Sequence, residues 1–135
     1  MSIEIPNVRL NDGHEIPCIG LGTIDLMGNK GVLQILDAIH AGYRLIDTST
    51  NYDNEGIVGK AVQESSISRD QLLVSSKLPG KYHDFDSALT IIEEQLARTG
   101  LEYFDKYLIH WPNPDDGKYV EAWKALIQAQ KLGMV

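Results

Sequence analysis

The chain has 135 residues, 43% of them apolar and 23% charged, which suits one soluble globular domain over residues 1–135. Its formal charge of −7 argues against a nucleic-acid footprint, and no apolar run is long enough to span a bilayer, so neither nucleic acid nor a membrane is an expected partner. A single cysteine, Cys18, permits no internal disulfide; with no basic and apolar leader in MSIEIPNVRL, a reducing cytoplasmic setting is expected, and Cys18 reads as a small buried apolar residue.

The first expected element is a hairpin. Ile3 to Leu10 and His14 to Pro17 flank Asn11-Asp12-Gly13, a strong turn signal. CIGLGT (18–23) follows as a short strand ending in a glycine-punctuated loop. Gly20-x-Gly22 lacks a third glycine opening a helix, so it reads as close backbone packing rather than a dinucleotide fingerprint. Asn29 is the expected cap of a helix whose Val32, Ile35, Leu36 and Ile39 form one stripe, closed by Ala41-Gly42.

Tyr43 to Asp47 is the second strand, Thr48 to Asn54 a polar loop, and a helix starts at Glu55 with Ile57, Val58, Ala61 and Val62 at helical spacing. Gln71 to Lys77 is the third strand, stopped by Leu78-Pro79-Gly80. Its helix starts after Asp84 or Asp86, presents Ala88, Leu89, Ile92 and Leu96, and ends at Gly100. Phe104 to His110 is the fourth strand, closed by Trp111-Pro112; the last helix, about residues 118–132, is expected to bury Tyr119, Val120, Trp123, Leu126 and Ile127. Four consecutive βα units argue for a parallel sheet with right-handed crossovers. A closed (β/α)8 barrel needs about 250 residues, so the expected architecture is a half-barrel: four βα units behind an amino-terminal hairpin.

Period-two alternation puts Asp47 on the face of Leu45, Lys77 on that of Ser75 and Leu73, and His110 on that of Leu108. Each carries an ionisable group at a strand's carboxyl end, where parallel α/β architecture places chemistry, and Tyr52 lies on the loop above. Asp47 supplies the counter-ion that a desolvated Lys77 needs. A lysine cation beside a phenol eases the phenol's proton release, so Tyr52 is the candidate proton donor, and His110 a candidate hydrogen-bond donor to a carbonyl oxygen. A phenol donor beside a polarised carbonyl fits reduction with hydride from a nicotinamide cofactor. Taken singly each residue also has a structural reading: a buried ion pair for Asp47 and Lys77, an ordinary loop tyrosine, a satisfied strand-end histidine. Only the joint pattern favours a site. His14, His40 and His83 have no ligand spacing, so no metal is expected.

At these residues a resemblance becomes specific. GYRLIDTSTNYDNEGIVGKAV (42–62) resembles the signature of the aldo/keto reductase family, LLVSSKLP (72–79) its lysine strand, YLIHWP (107–112) its histidine strand, and NDGHEIPCIGLGT (11–23) its amino-terminal hairpin and first strand. The resemblance implies the (β/α)8 TIM-barrel fold and NADPH-dependent reduction of aldehydes and ketones, with a small carbonyl compound as substrate. It implies Tyr52 as general acid with Lys77, Asp47 and His110 as its partners; Gly22, Thr23 and Asp47 near the nicotinamide ribose; and Trp111 in the substrate pocket. Ile24 stands where many relatives carry an aromatic pocket residue. Most of the NADPH site is expected beyond Val135. The competing expectation is a catalytically silent half-barrel, completed by a second copy or by a carboxyl-terminal partner fragment.

Overall fold

The computed structural model describes residues 3–135. It begins with an antiparallel hairpin of β1 (Asn7–Arg9) and β2 (Glu15–Pro17), in which Val8 faces Ile16. Four strands then form one parallel sheet in chain order: β3 (Leu21–Gly22), β4 (Leu45–Asp47), β5 (Leu73–Leu78) and β6 (Lys106–Ile109). Helices α1 (Gly28–Ala41), α2 (Glu55–Glu64), α3 (Phe85–Thr99) and α4 (Tyr119–Lys131) follow the strands and pack as successive neighbours. This is the expected half-barrel with its hairpin, although every strand is shorter than its apolar run.

The register fixes two faces. Leu45 pairs with Leu73, Asp47 with Ser75 and Lys77 with Leu108. On the opposite face Ile46, Val74 and Leu78 are wholly buried under the helices, with Phe104 and the α1 stripe of Val32, Ile35 and Ile39. Removing such side chains from water is the main stabilising term, at roughly 25 cal/mol for each Å2 of apolar surface. The face carrying Asp47 and Lys77 is less covered; Leu108 there is 39% exposed. Glycine decides two close approaches. Gly42 closes α1 with φ +119°, and a Cβ on it would lie 2.1 Å from the Ile3 carbonyl oxygen. A Cβ on Gly59 would meet the Thr99 carbonyl oxygen at 1.8 Å, so α2 and α3 touch backbone to backbone.

Three expectations are corrected. Asn29 lies inside α1; Met27 is the cap residue and no side chain caps that helix. Cys18 is exposed, because the chain leaving the hairpin runs over the surface. In α4 only Leu126 of the expected stripe is buried; Tyr119, Val120, Trp123 and Ile127 are exposed. The face turned to α3 is instead Ala122, Ala125 and Ala129, all wholly buried. Small side chains let the two helices approach closely, and among the described residues the bulky stripe stays uncovered. No helix of the described residues is long and apolar enough to cross a membrane.

Candidate active site

The loop from Thr48 to Asn54 is held at both ends. The Thr48 amide donates to the Ser75 carbonyl at 2.9 Å, extending the β4–β5 pairing by one residue. Ser49 caps a short 3-10 turn over Thr50–Tyr52, its Oγ accepting from the Asn51 amide at 3.2 Å. Asp53 leaves that turn at φ +52°, a left-handed geometry that aspartate tolerates better than most residues. Asn54, 3% exposed, then donates to the carbonyls of Thr23 (2.6 Å) and Leu26 (3.2 Å), and accepts from Thr48 Oγ1 (2.9 Å). Tyr52 therefore sits on a segment pinned to β4, β5 and the β3 loop.

Above the strand ends, Lys77 Nζ donates to Asp47 Oδ2 (2.6 Å), the Thr48 carbonyl (2.9 Å) and the Tyr52 hydroxyl (3.3 Å). Those three oxygens use the ammonium's three donors. Asp47 keeps Oδ1 without a partner among the described residues, and its side chain is 32% exposed. His110 completes the group. Its ring stands edge-on to Tyr52 with centroids 6.1 Å apart, and Nδ1 lies 3.2 Å from Ser49 Oγ. Burial and the Lys77 charge push the imidazole below its ordinary value, with Asp47 opposing them weakly, so a neutral ring is favoured.

A second polar cluster backs the loop from the helix side. Gln95 of α3, wholly buried, donates through Nε2 to Thr50 Oγ1 (2.6 Å) and to the Lys77 carbonyl (3.1 Å), and accepts from the Tyr107 hydroxyl. Glu55 pairs with Arg98, Nε to Oε2 at 2.9 Å, and accepts from Ser76 at 3.4 Å. Burial raises the Glu55 carboxyl above its ordinary value despite Arg98, and pushes the Tyr107 phenol far up. Both are enclosed by their hydrogen-bond partners.

The remaining sequence-derived residues divide. Gly22 is exposed, with open space where a Cβ would stand, whereas Thr23 is wholly buried and donates its hydroxyl to the Asp47 carbonyl at 2.8 Å. Ile24 and Trp111 are 60% and 63% exposed, and the indole stacks on His110 at 5.8 Å and 12°. Ser49, Asn54 and Gln95 were not anticipated as site residues, and Glu55 was read as a helix start within the signature stretch. The only signal for Ser49 and Asn54 is the density of polar residues in their loop, which names no partner, and Gln95 lies on α3 with no signal of its own. A cleft of about 470 Å3 lies at the opposite end of the strands, among Ile5, Asn7, Glu15, Arg44 and Leu73, far from these groups. The titratable cluster lies instead on an open face, because four strands build only one wall around it.

The chain is thus a parallel βα half-barrel with a tyrosine–lysine–aspartate–histidine cluster at its strand carboxyl ends, the end at which TIM-barrel proteins place their sites. The family model described as "Aldo/keto reductase family" matches residues 19–135, and the chain belongs to that family. It is 47% identical over 132 residues to 2,5-diketo-D-gluconic acid reductase B of a Corynebacterium species, covering 98% of this chain and 48% of that one. An aldo/keto reductase from Brucella melitensis superposes with a TM-score of 0.91 at 39% identity, over 97% of this chain and 51% of that one. The Bombyx mori aldo-keto reductase crystallised with NADP gives 0.85 at 34%, over 98% and 49%. The chain thus spans about half the length of the relatives it matches.

Proposed function

We propose that this chain carries the proton-transfer side of a site that reduces aldehydes or ketones to alcohols with NADPH. The observation behind this reading is the Lys77 ammonium, which touches the Asp47 carboxylate and the Tyr52 hydroxyl at once. Tyr52 gives its proton to the carbonyl oxygen as that oxygen gains negative charge. Lys77 stabilises the phenolate left behind, and Asp47, its counter-ion, holds Lys77 in place. His110 donates a hydrogen bond to the same oxygen, while Ile24 and Trp111 offer apolar surface to the substrate. Bound NADPH would supply the hydride. The residues present fit its nicotinamide end, since Asp47 Oδ1 has no partner among the described residues and Gly22 leaves room for close approach. Thr23 serves through Asp47, whose backbone its hydroxyl holds.

The assay is carbonyl-dependent NADPH oxidation with an aldehyde and ketone panel that includes a keto sugar acid, the compound class for which the Corynebacterium relative is named. It is run on the chain alone and on the chain mixed with the carboxyl-terminal half of a similar reductase. An active preparation that keeps its rate in Tyr52→Phe overturns the assignment. Calorimetry with NADPH is expected to show weak or no binding by the chain alone; sub-micromolar binding would mean that the cofactor site lies elsewhere.

A second reading has its own observations. The outer edges of β3 and β6 have no strand partner among the described residues, and Leu108, Trp123 and Ile127 are exposed. Unpaired edges and bare apolar side chains favour association. On this reading the chain alone is catalytically silent and self-associates, or awaits a partner fragment. Light scattering at low micromolar concentration tests it, and a monodisperse, well-folded monomer would sink it.

A further inference from the structure

We propose that Ser49 is a positioning residue that fixes the tautomer of His110, keeping the proton on Nε2. Its oxygen is wholly buried and has two neighbours within hydrogen-bond distance among the described residues: the Asn51 amide and His110 Nδ1, each at 3.2 Å. The amide is necessarily a donor, so it takes one lone pair of Oγ. The hydroxyl proton must then find an acceptor, and among the described residues Nδ1 is the one in reach.

The opposite arrangement, Nδ1–H donating to Oγ, would give the oxygen two donors and strand its own proton in a dry place. Buried donors without a partner are disfavoured. A neutral imidazole accepting at Nδ1 carries its proton at Nε2. That proton is the hydrogen bond which the proposed reduction requires from His110, and the inference rests on that reading for its use, though not for its physics. Burial and the Lys77 charge keep the ring neutral, which preserves the distinction between its two nitrogens. The Trp111 indole lies nearly parallel to the ring, at 12° with centroids 5.8 Å apart. Ser49 thus does two things with one oxygen: it caps the turn that carries Tyr52, and it orients the donor opposite.

The test is nitrogen NMR of the histidine-labelled chain at about pH 8, where an ordinary imidazole is neutral. The four histidines are sorted by loss of one signal pair in His110→Gln. For His110 the expected result is an unprotonated Nδ1 and a protonated Nε2. Ser49→Ala is expected to lower the ratio of the two tautomers about five- to tenfold, as one lost hydrogen bond implies, and Ser49→Thr to restore it. A protonated Nδ1 in the unmodified chain overturns the proposal whatever the variants do, and so does an unchanged ratio in a folded Ser49→Ala. Neither cofactor nor substrate enters the measurement. Absence of carbonyl reduction therefore leaves the tautomer result standing, and a wrong tautomer leaves the Tyr52 assignment to be judged by its own assay.

Discussion

Two ion pairs flank the loop that carries Tyr52, and they are built in opposite senses. In the pair at the strand ends the cation is hidden and the anion is wet: the Lys77 side chain is 11% exposed and that of Asp47 32%. Behind the loop the order is reversed, with Glu55 at 3% and Arg98 at 41%. The exposed member of the first pair faces the open side of the sheet, with one carboxylate oxygen unused. In the second pair the hidden member spends its oxygens on Arg98, Ser76 and Thr50. A pair with unspent capacity facing open space is suited to a ligand. A pair whose carboxylate is enclosed by its own fold is suited to holding a shape.

The sharpest way to break this contrast is to remove the phenol. Tyr52→Phe is expected to lower carbonyl reduction about 10^2- to 10^4-fold, the usual worth of a positioned proton donor. Its denaturant midpoint should barely move, because among the described residues the hydroxyl is bonded only by Lys77. Next in size is a comparison of the two cations. Arg98→Met leaves a buried carboxylate uncompensated and is expected to cost about 3 kcal/mol at neutral pH. Lys77→Met leaves Asp47 partly in water and should cost on the order of 1 kcal/mol, while abolishing reduction. Chemical denaturation ranks the two, and equal costs would erase the distinction between them.

The same contrast predicts a pH dependence. Burial raises the folded-state value of Glu55 above its ordinary 4.5, so the native chain holds that proton more tightly than the unfolded one. Stability from this group therefore falls as pH rises from near 4.5 through the raised value, and is level outside that window. Glu55→Gln should remove the slope. Arg98→Met should extend the window upward, since the guanidinium is what restrains the rise. The difference between melts of the parent and of Glu55→Gln across that range isolates the effect from the other carboxylates.

Much of this was legible in the sequence, and the failures share a cause. Strand alternation placed Asp47, Lys77 and His110 on one face, because a period of two allows no other outcome once the strands are found. The α1 stripe was legible for the same reason: that helix has a sheet beneath it and a neighbour beside it. The α4 reading weighted bulky residues and took Trp123 for core. Whether a bulky stripe is buried depends on what lies against it, and the alanines were available for α3. Gln95 was hidden differently. A glutamine on an amphipathic helix normally faces water, and only the assembled packing shows that Thr50, Lys77 and Tyr107 converge on it.

A further effect is the one most specific to the connection between the two regions. Thr50 Oγ1 accepts from Gln95 at 2.6 Å, and it belongs to the turn that carries Tyr52. Thr50→Val keeps the shape and should cost about 1 kcal/mol, chiefly the net worth of the lost Gln95 hydrogen bond, since the Thr50 contacts to Glu55 are long at 3.5 Å. Gln95→Leu should cost roughly 2 kcal/mol, because the Tyr107 hydroxyl then loses its acceptor in a buried place. Since both variants delete the same bond, the double variant should fall short of their sum by about 1 kcal/mol. Amide exchange says where that energy acts. The Tyr52 and Asp53 amides, bonded to the Ser49 and Thr50 carbonyls at 3.0 and 3.1 Å, should exchange faster in Gln95→Leu by a larger factor than the amides inside α1. Additive costs, or a uniform rise in exchange along the chain, would mean that the rear cluster stabilises the fold without holding the loop.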